Sequence, residues 1–303
     1  MCYGVKGRLF GAASESAALI NLGFDEIHAL RPGEMVLIED GRLHTATFAP
    51  STRQARCFFE WVYFSSVASE IDDLAVYHCR ANSGRRLAEL EDQGADGDSI
   101  VVPVPDTAKA AADAFAYHMR LPCVEGLLRN RYVGRTFIQP DNNRQGRVGS
   151  KYTPMPSVLH GKRVFLLEDS IVRSTTLRAL AQRIRACGGA REIHVRVACP
   201  PIVAPCFYGI DMSTLTELFA PPFMPADYTG TPTDEAMQRM ADELGVDSLR
   251  YLSADDMGSC IGCDVDTLCR GCITGTYPTD WGNKLLSCAQ ENARTGQTGR
   301  TYA

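Results

Sequence analysis

The residues best equipped for chemistry fall in one stretch, VFLLEDSIVRSTT, residues 164–176. Four apolar residues run into two adjacent carboxylates, Glu168 and Asp169, and the hydroxyls of Ser174, Thr175 and Thr176 come shortly after. A helix N-terminus offers N–H groups that no intrahelical acceptor satisfies, and hydroxyls beside them complete a phosphate site. Carboxylates want a different partner, either hydroxyl groups or Mg²⁺. A sugar phosphate meets both demands, with its phosphate in the 174–176 turn and its ribose hydroxyls on the acidic pair. The competing reading is an acidic turn followed by a Ser/Thr helix cap with no ligand. The doubled acid and the tripled hydroxyl favour the ligand.

Such groups work only if strand ends and helix starts hold them. SIVVPVP (99–105) and KRVFLL (162–167) read as buried strands, and REIHVRVACPP (191–201) as a third, broken by prolines. TAKAAADAFAYHM (107–119) reads as a helix. LRALAQRIRAC (177–187) has apolar residues at 177, 180, 184 and 187, a helical stripe that Gly188-Gly189 ends. This alternation predicts an α/β fold with a central parallel sheet flanked by helices. The acidic pair then lies at the carboxyl end of a strand, where open α/β sheets bind ligands. The polar, basic stretch 138–154 reads as a long functional loop, and the Pro-rich run after 220 as irregular.

With 303 residues, 45% hydrophobic and 22% charged, and a net charge of −5, the chain has an ordinary globular composition. That charge gives no general attraction to nucleic acid or membrane. No apolar run nears the ~20 residues that span a bilayer. MCYGVKGRLF at the start lacks the apolar core of an export signal, so the expected compartment is cytoplasmic.

The twelve cysteines stand out. In a reducing compartment, clustered cysteines bind metal or an iron–sulfur cluster more often than they form disulfides. CIGCDVDTLCRGC (260–272) would offer zinc four sulfurs by itself, but the spacing between its CxxC pairs is shorter than in a zinc ribbon. Cys79, Cys123, Cys187, Cys199 and Cys288 read as buried free thiols.

EDSIVRSTT closely resembles the 5-phosphoribosyl 1-diphosphate (PRPP) motif of the glutamine PRPP amidotransferases, type I phosphoribosyltransferases that open purine synthesis. In the same order, VVPVPDTA (101–108) resembles the family's pyrophosphate-binding loop. NRYVGRTFIQP and the basic stretch to Lys151 resemble its flexible catalytic loop. CPPIVAPCFYGIDMST (199–214) and CITGTYPTD (272–280) are further close matches, and the similarity runs from about residue 10 to about 280. Two departures stand inside the motif: Glu168 where the family usually has Asp, and Ser174 where it usually has Gly.

The resemblance implies a type I phosphoribosyltransferase fold and transfer of the phosphoribosyl group to a nitrogen nucleophile with release of pyrophosphate. The transition state would have oxocarbenium character. It implies that Glu168 and Asp169, with Ser170 beside them, hold the ribose hydroxyls and that Ser174, Thr175 and Thr176 hold the 5′-phosphate. Asp106 and Thr107 would frame the diphosphate and its Mg²⁺. Arg131, Arg135 and Lys151, in or beside the loop, would close over the charge as catalytic residues. Some family members carry a [4Fe–4S] cluster, and its four ligands correspond to Cys57, Cys206, Cys269 and Cys272, so a structural cluster is expected.

Family members begin with a glutaminase domain, and residues 7–41 resemble only its last strands. The expected organisation is therefore a truncated glutaminase remnant, a short β unit over 1–50, and a phosphoribosyltransferase domain over 51–303. Cys2 is expected to have no catalytic role, and the chain to be a homo-oligomer. With no glutaminase to release ammonia, the expected acceptor is a purine-like nucleobase of the 7-deazapurine kind found in nucleoside biosynthesis. The alternatives are ammonia, giving phosphoribosylamine, and a non-catalytic PRPP- or purine-sensing protein.

Overall fold

The computed structural model describes residues 1–297 apart from 52, 131–150, 211, 213 and 226. At the N-terminus, β1 (Cys2–Lys6) pairs antiparallel with β2 (Leu9–Ala13) and β3 (Glu26–Ala29), and α1 (Ser16–Asn21) lies between these two in the chain. β4 (Glu34–Glu39) and β5 (Arg42–Thr47) form a separate hairpin. Its turn residues Asp40 and Gly41 have φ of 50° and 74°. Two-residue hairpin turns need this left-handed pair, and an Asp-Gly sequence supplies it. The β unit is tied to the 66–70 segment by Ser16 Oγ, which donates to the Glu70 carbonyl at 3.3 Å, and by Ser69 Oγ, which donates to Glu15 at 2.8 Å.

Next come β6 (Arg56–Cys57), a π-helical turn at Glu60–Phe64, a small hairpin of β7 (Glu70–Ile71) and β8 (Leu74–Ala75), and α2 (Val76–Glu89). The chain continues through β9 (Ser99–Pro103), α3 (Lys109–Met119), β10 (Leu127–Arg129), β11 (Tyr152–Pro154), α4 (Pro156–Leu159), β12 (Arg163–Glu168) and α5 (Ser174–Ala186). After β13 (Glu192–Val197) come α6 (Asp234–Leu244), β14 (Ser248–Tyr251), α7 (Asp256–Ile261), β15 (Leu268–Cys269), α8 (Gly271–Thr274) and α9 (Asp280–Thr295).

The central sheet is parallel throughout, in the order β14-β13-β12-β9, and contains all three expected strands. Val164, Phe165, Leu166 and Leu167 are 0% exposed. A strand reads as a continuous apolar run like this when both faces of its sheet are covered. Phe115 of α3 packs on Phe165 of β12 with ring centroids 5.7 Å apart. α2 approaches α3 so closely at Gly84 that a Cβ there would stand 1.9 Å from the Ala111 carbonyl oxygen. Only glycine permits that approach. Among the described residues no helix is long and apolar enough to cross a membrane.

Several boundaries differ from the sequence reading. The helix expected over 177–187 begins at Ser174 and ends at Ala186, so the hydroxyl residues are its first turn. Leu177, Leu180 and Ile184 are buried as expected, but Cys187 lies beyond the helix and is exposed, as is Cys288. Cys79 and Cys199 are buried and Cys123 is half-buried. The helix expected from 107 begins at Lys109, because Asp106 and Thr107 form the turn before it. The third strand stops at Val197, ahead of Pro200. The last residues of the 138–154 stretch form β11, which pairs with β10; residues 138–150 lie outside those described. The Pro-rich run contains a 3-10 turn at Pro221–Phe223.

Candidate active site

β12 delivers Glu168 and Asp169 to the carboxyl end of the sheet, as the strand pattern implied. Asp169 is 6% exposed and Glu168 half-buried. Ser170 Oγ donates to Asp169 Oδ1 at 2.6 Å, Thr107 Oγ1 donates to Oδ2, and the Asp169 amide donates to Glu168 Oε1 at 3.2 Å. Burial pushes the Glu168 carboxyl well above its ordinary range, and the neighbouring Asp169 charge adds to this. Burial also raises Asp169, while Ser170, Thr107, Arg80 and Lys151 pull it back down. Two carboxylates crowded in a low-dielectric site gain from any ligand that brings hydroxyl donors or a cation.

α5 starts six residues after β12 ends, and no side chain caps it. Its N-cap residue is Arg173, in extended conformation at φ −121° and ψ 142°. The ligand-free alternative, a Ser/Thr cap at this helix start, is therefore not what the chain builds. Ser174 and Thr176 are half-buried and Thr175 is exposed, all in the first turn, where N–H groups and the helix dipole favour an anion.

The β9–α3 turn lies against the acidic pair through Thr107. Its Pro105–Asp106 peptide is cis. Asp106 is exposed and paired with Arg129 at the end of β10. Tyr152 Oη donates to the Pro105 carbonyl at 3.1 Å. Lys151, just before β11, sits with its Nζ 5.1 Å from the Tyr152 ring centroid. Burial lowers the Lys151 ammonium, and the facing Glu168, Asp169 and Asp106 charges oppose that effect. Of the three cations assigned to closing over the charge, Lys151 thus faces Glu168, Asp169 and Asp106, whereas Arg131 and Arg135 lie outside the described residues. Sequence reasoning missed two cations. Arg129 stands one residue ahead of NRYVGRT and could have been read with it; Arg80, brought up by α2, had no local signal.

The cysteines separate into two groups. β6 and β15 pair in parallel with Cys57 opposite Cys269. Cys272 has Cys57, Cys206 and Cys269 among the groups that reinforce the rise of its pKa on burial. Cys260 and Cys263 instead neighbour Cys79, whose thiol burial pushes up to about 12. The two CxxC pairs thus face different surroundings, which counts against one zinc site built from 260–272. Among the described residues no three His, Cys, Asp or Glu side chains stand close enough to hold a single metal ion.

No family model matches the chain. It is 42% identical over 280 residues to the amidophosphoribosyltransferase of Methanothermobacter thermautotrophicus, covering 92% of this chain and 56% of that one. With the Bacillus subtilis amidophosphoribosyltransferase it shares 37% identity over 282 residues, 91% of this chain and 56% of the relative. The solved structure of B. subtilis glutamine PRPP amidotransferase complexed with ADP and GMP superposes with a TM-score of 0.76 at 35% identity. That match covers 92% of this chain and 59% of the other. A structure described as the allosteric regulatory enzyme of purine biosynthesis matches with a TM-score of 0.78 at 36% identity, over 92% of this chain and 57% of the other. The chain thus spans somewhat more than half the length of these relatives. Over that span, with the type I phosphoribosyltransferase sheet and the EDSIVRSTT turn at its carboxyl end, it is homologous to the amidophosphoribosyltransferases.

Proposed function

We propose that the chain transfers the 5-phosphoribosyl group of PRPP to ammonia, forming phosphoribosylamine and pyrophosphate. The observation that carries this reading is the acidic pair at the end of β12, followed in the chain by the uncapped first turn of α5. Ribose hydroxyls would donate to Glu168 and Asp169, and the 5′-phosphate would accept from the 174–176 turn. The C1–O bond to diphosphate breaks as the C1–N bond forms. The diphosphate keeps the electron pair, and the nitrogen then sheds a proton to solvent. Arg129 and Lys151 would stabilise the departing charge, with Asp106 and Thr107 holding the diphosphate and Mg²⁺. Bound Mg²⁺ would neutralise part of that charge.

Ammonia is favoured over the purine-like base expected from the sequence, because the relatives are named for amide-nitrogen transfer. Pyrophosphate release from PRPP with Mg²⁺ tests this, using ammonium chloride, glutamine or a panel of purine and 7-deazapurine bases. Phosphoribosylamine formation with ammonium supports the reading. A base-linked ribonucleotide, with ammonium inert, would restore the nucleobase reading, and no turnover with intact PRPP binding would leave a sensor.

A [4Fe–4S] cluster on Cys57, Cys206, Cys269 and Cys272 belongs to the same proposal. The support is the donor set itself: four mutually neighbouring thiols, of the type and number such clusters use. In a structural role the cluster would fasten the segments around β6 and β15. The proposal also takes 1–50 as a separate β unit ahead of a 51–303 transferase domain, and self-association as the working state.

A further inference from the structure

Arg80 is 5% exposed, yet its hydrogen bonds go to neutral acceptors. Nε donates to the Trp61 carbonyl at 2.9 Å and Nη2 to the Ser65 carbonyl at 2.8 Å. These bonds fix the side chain without neutralising it, and a buried cation without a countercharge is costly. Arg80, Thr107 and Asp169 line one small cavity. Of the groups that face Arg80, Asp169 acts on it most strongly, ahead of the Cys79 thiol and of Glu15, whose carboxylate accepts from the Ser66 amide and Ser69 hydroxyl. Asp169 is thus the leading countercharge, and it shares the cavity with Arg80.

We propose that Arg80 is a positioning residue for PRPP: across this cavity it supplies the fixed positive charge against which Asp169 is held for the ribose hydroxyls. This rests on the PRPP reading of the β12–α5 site. Asp169 sits beside Glu168, so two like charges must be kept together at the strand end. Lys151 balances them from the β11 side and Arg80 from α2. The backbone seat of Arg80 is rigid, because α2 is pressed against α3 at Gly84 only four residues further on. α3 in turn starts just after Thr107, which itself donates to Asp169. The cation, the hydroxyl and the carboxylate are thus held on one frame before any ligand arrives, which is how a site orients a substrate with little reorganisation.

The test is a mutant cycle read by PRPP titration calorimetry with Mg²⁺, alongside thermal melts without ligand. Arg80→Met should weaken PRPP by about tenfold or more, in the range for charge-assisted contacts, and Arg80→Lys by no more than about threefold. In an Asp169→Asn background, Arg80→Met should cost less than about a further twofold, because residues coupled through one interaction do not add. A purely architectural role would give the same loss in both backgrounds, and that outcome overturns the proposal. So does Arg80→Met binding PRPP like the parent while Asp169→Asn does not. If Asp169→Asn itself binds like the parent, the PRPP reading fails instead. Should Arg80→Met not fold, Arg80→Lys decides: near-parent binding supports the role, and a loss of more than about tenfold rejects it.

Discussion

Thr107 donates its hydroxyl hydrogen to Asp169 across 62 positions of chain, joining the turn after β9 to the end of β12. The residue expected at the diphosphate is thereby bonded to the residue expected at the ribose, so the two halves of the site are mechanically one. Neither turn can shift without moving the other.

Removing that link should separate the halves. A hydrogen bond to a charged group contributes roughly 1.5–3 kcal/mol, so Thr107→Val should weaken PRPP by about one to two orders of magnitude. Thr107→Ser should recover most of it. Titration of PRPP against each variant checks this; equal affinity in parent and Thr107→Val would show that the link is idle.

Thr175 tests the opposite end. It lies exposed in the uncapped first turn of α5. Thr175→Val removes a hydroxyl without changing shape and should reduce PRPP affinity by about tenfold, the low end for a hydrogen bond to a charged group. Binding of pyrophosphate alone should stay at the parent level. Weaker pyrophosphate binding would mean that this turn holds the diphosphate end.

The cysteine grouping makes a compositional forecast. Anaerobically purified protein should be brown and hold about four irons per chain. Cys57→Ser and Cys206→Ser should lose iron and soluble protein together, while Cys260→Ser and Cys263→Ser should keep the parent iron content. Metal analysis showing zinc without iron, or iron that depends on Cys260 and Cys263, would reject the assignment.

Acid stability can be read at Glu192. Arg163 Nε donates to its carboxylate at 2.7 Å and holds it at about 2, against an ordinary 4.5. A carboxyl depressed by folding stabilises the protein fully above its unfolded pKa and loses that contribution as pH falls toward the folded value. The difference in Tm between parent and Glu192→Gln should therefore be largest near neutral pH and shrink from about 4.5 downward. A difference that stays constant with pH would show that the ion pair contributes nothing through charge.

What could be read from sequence tracked the range of the interactions. The strand before Glu168 and the helix stripe at 177, 180 and 184 are local patterns, and both were legible. Arg80 was not, because its meaning depends on α2 folding back so that it faces a carboxylate far along the chain. The Asp106–Arg129 pair was hidden for the same reason. One boundary error arose where a turn residue took on site geometry: Thr107 fits a helical window by composition, yet the turn before α3 uses it. The CxxC repeat was a different case. Its spacing already spoke against one zinc site over 260–272, and tertiary folding gives the two pairs different neighbours.

The short parallel ladder of β6 and β15 also sets a timetable for synthesis. Arg56 bonds to Thr267 across 211 positions, and Cys57 meets Cys269 beside it. On the ribosome, Cys57 emerges long before its partner is made, so its segment must wait as an unpaired strand with an open thiol. The central sheet, by contrast, has three of its four strands from the contiguous stretch 99–197 and can assemble earlier. Among the four proposed cluster ligands, oxidative damage to a nascent chain would therefore fall first on Cys57, and iron for the proposed cluster would be useful only in the closing moments of translation or after release.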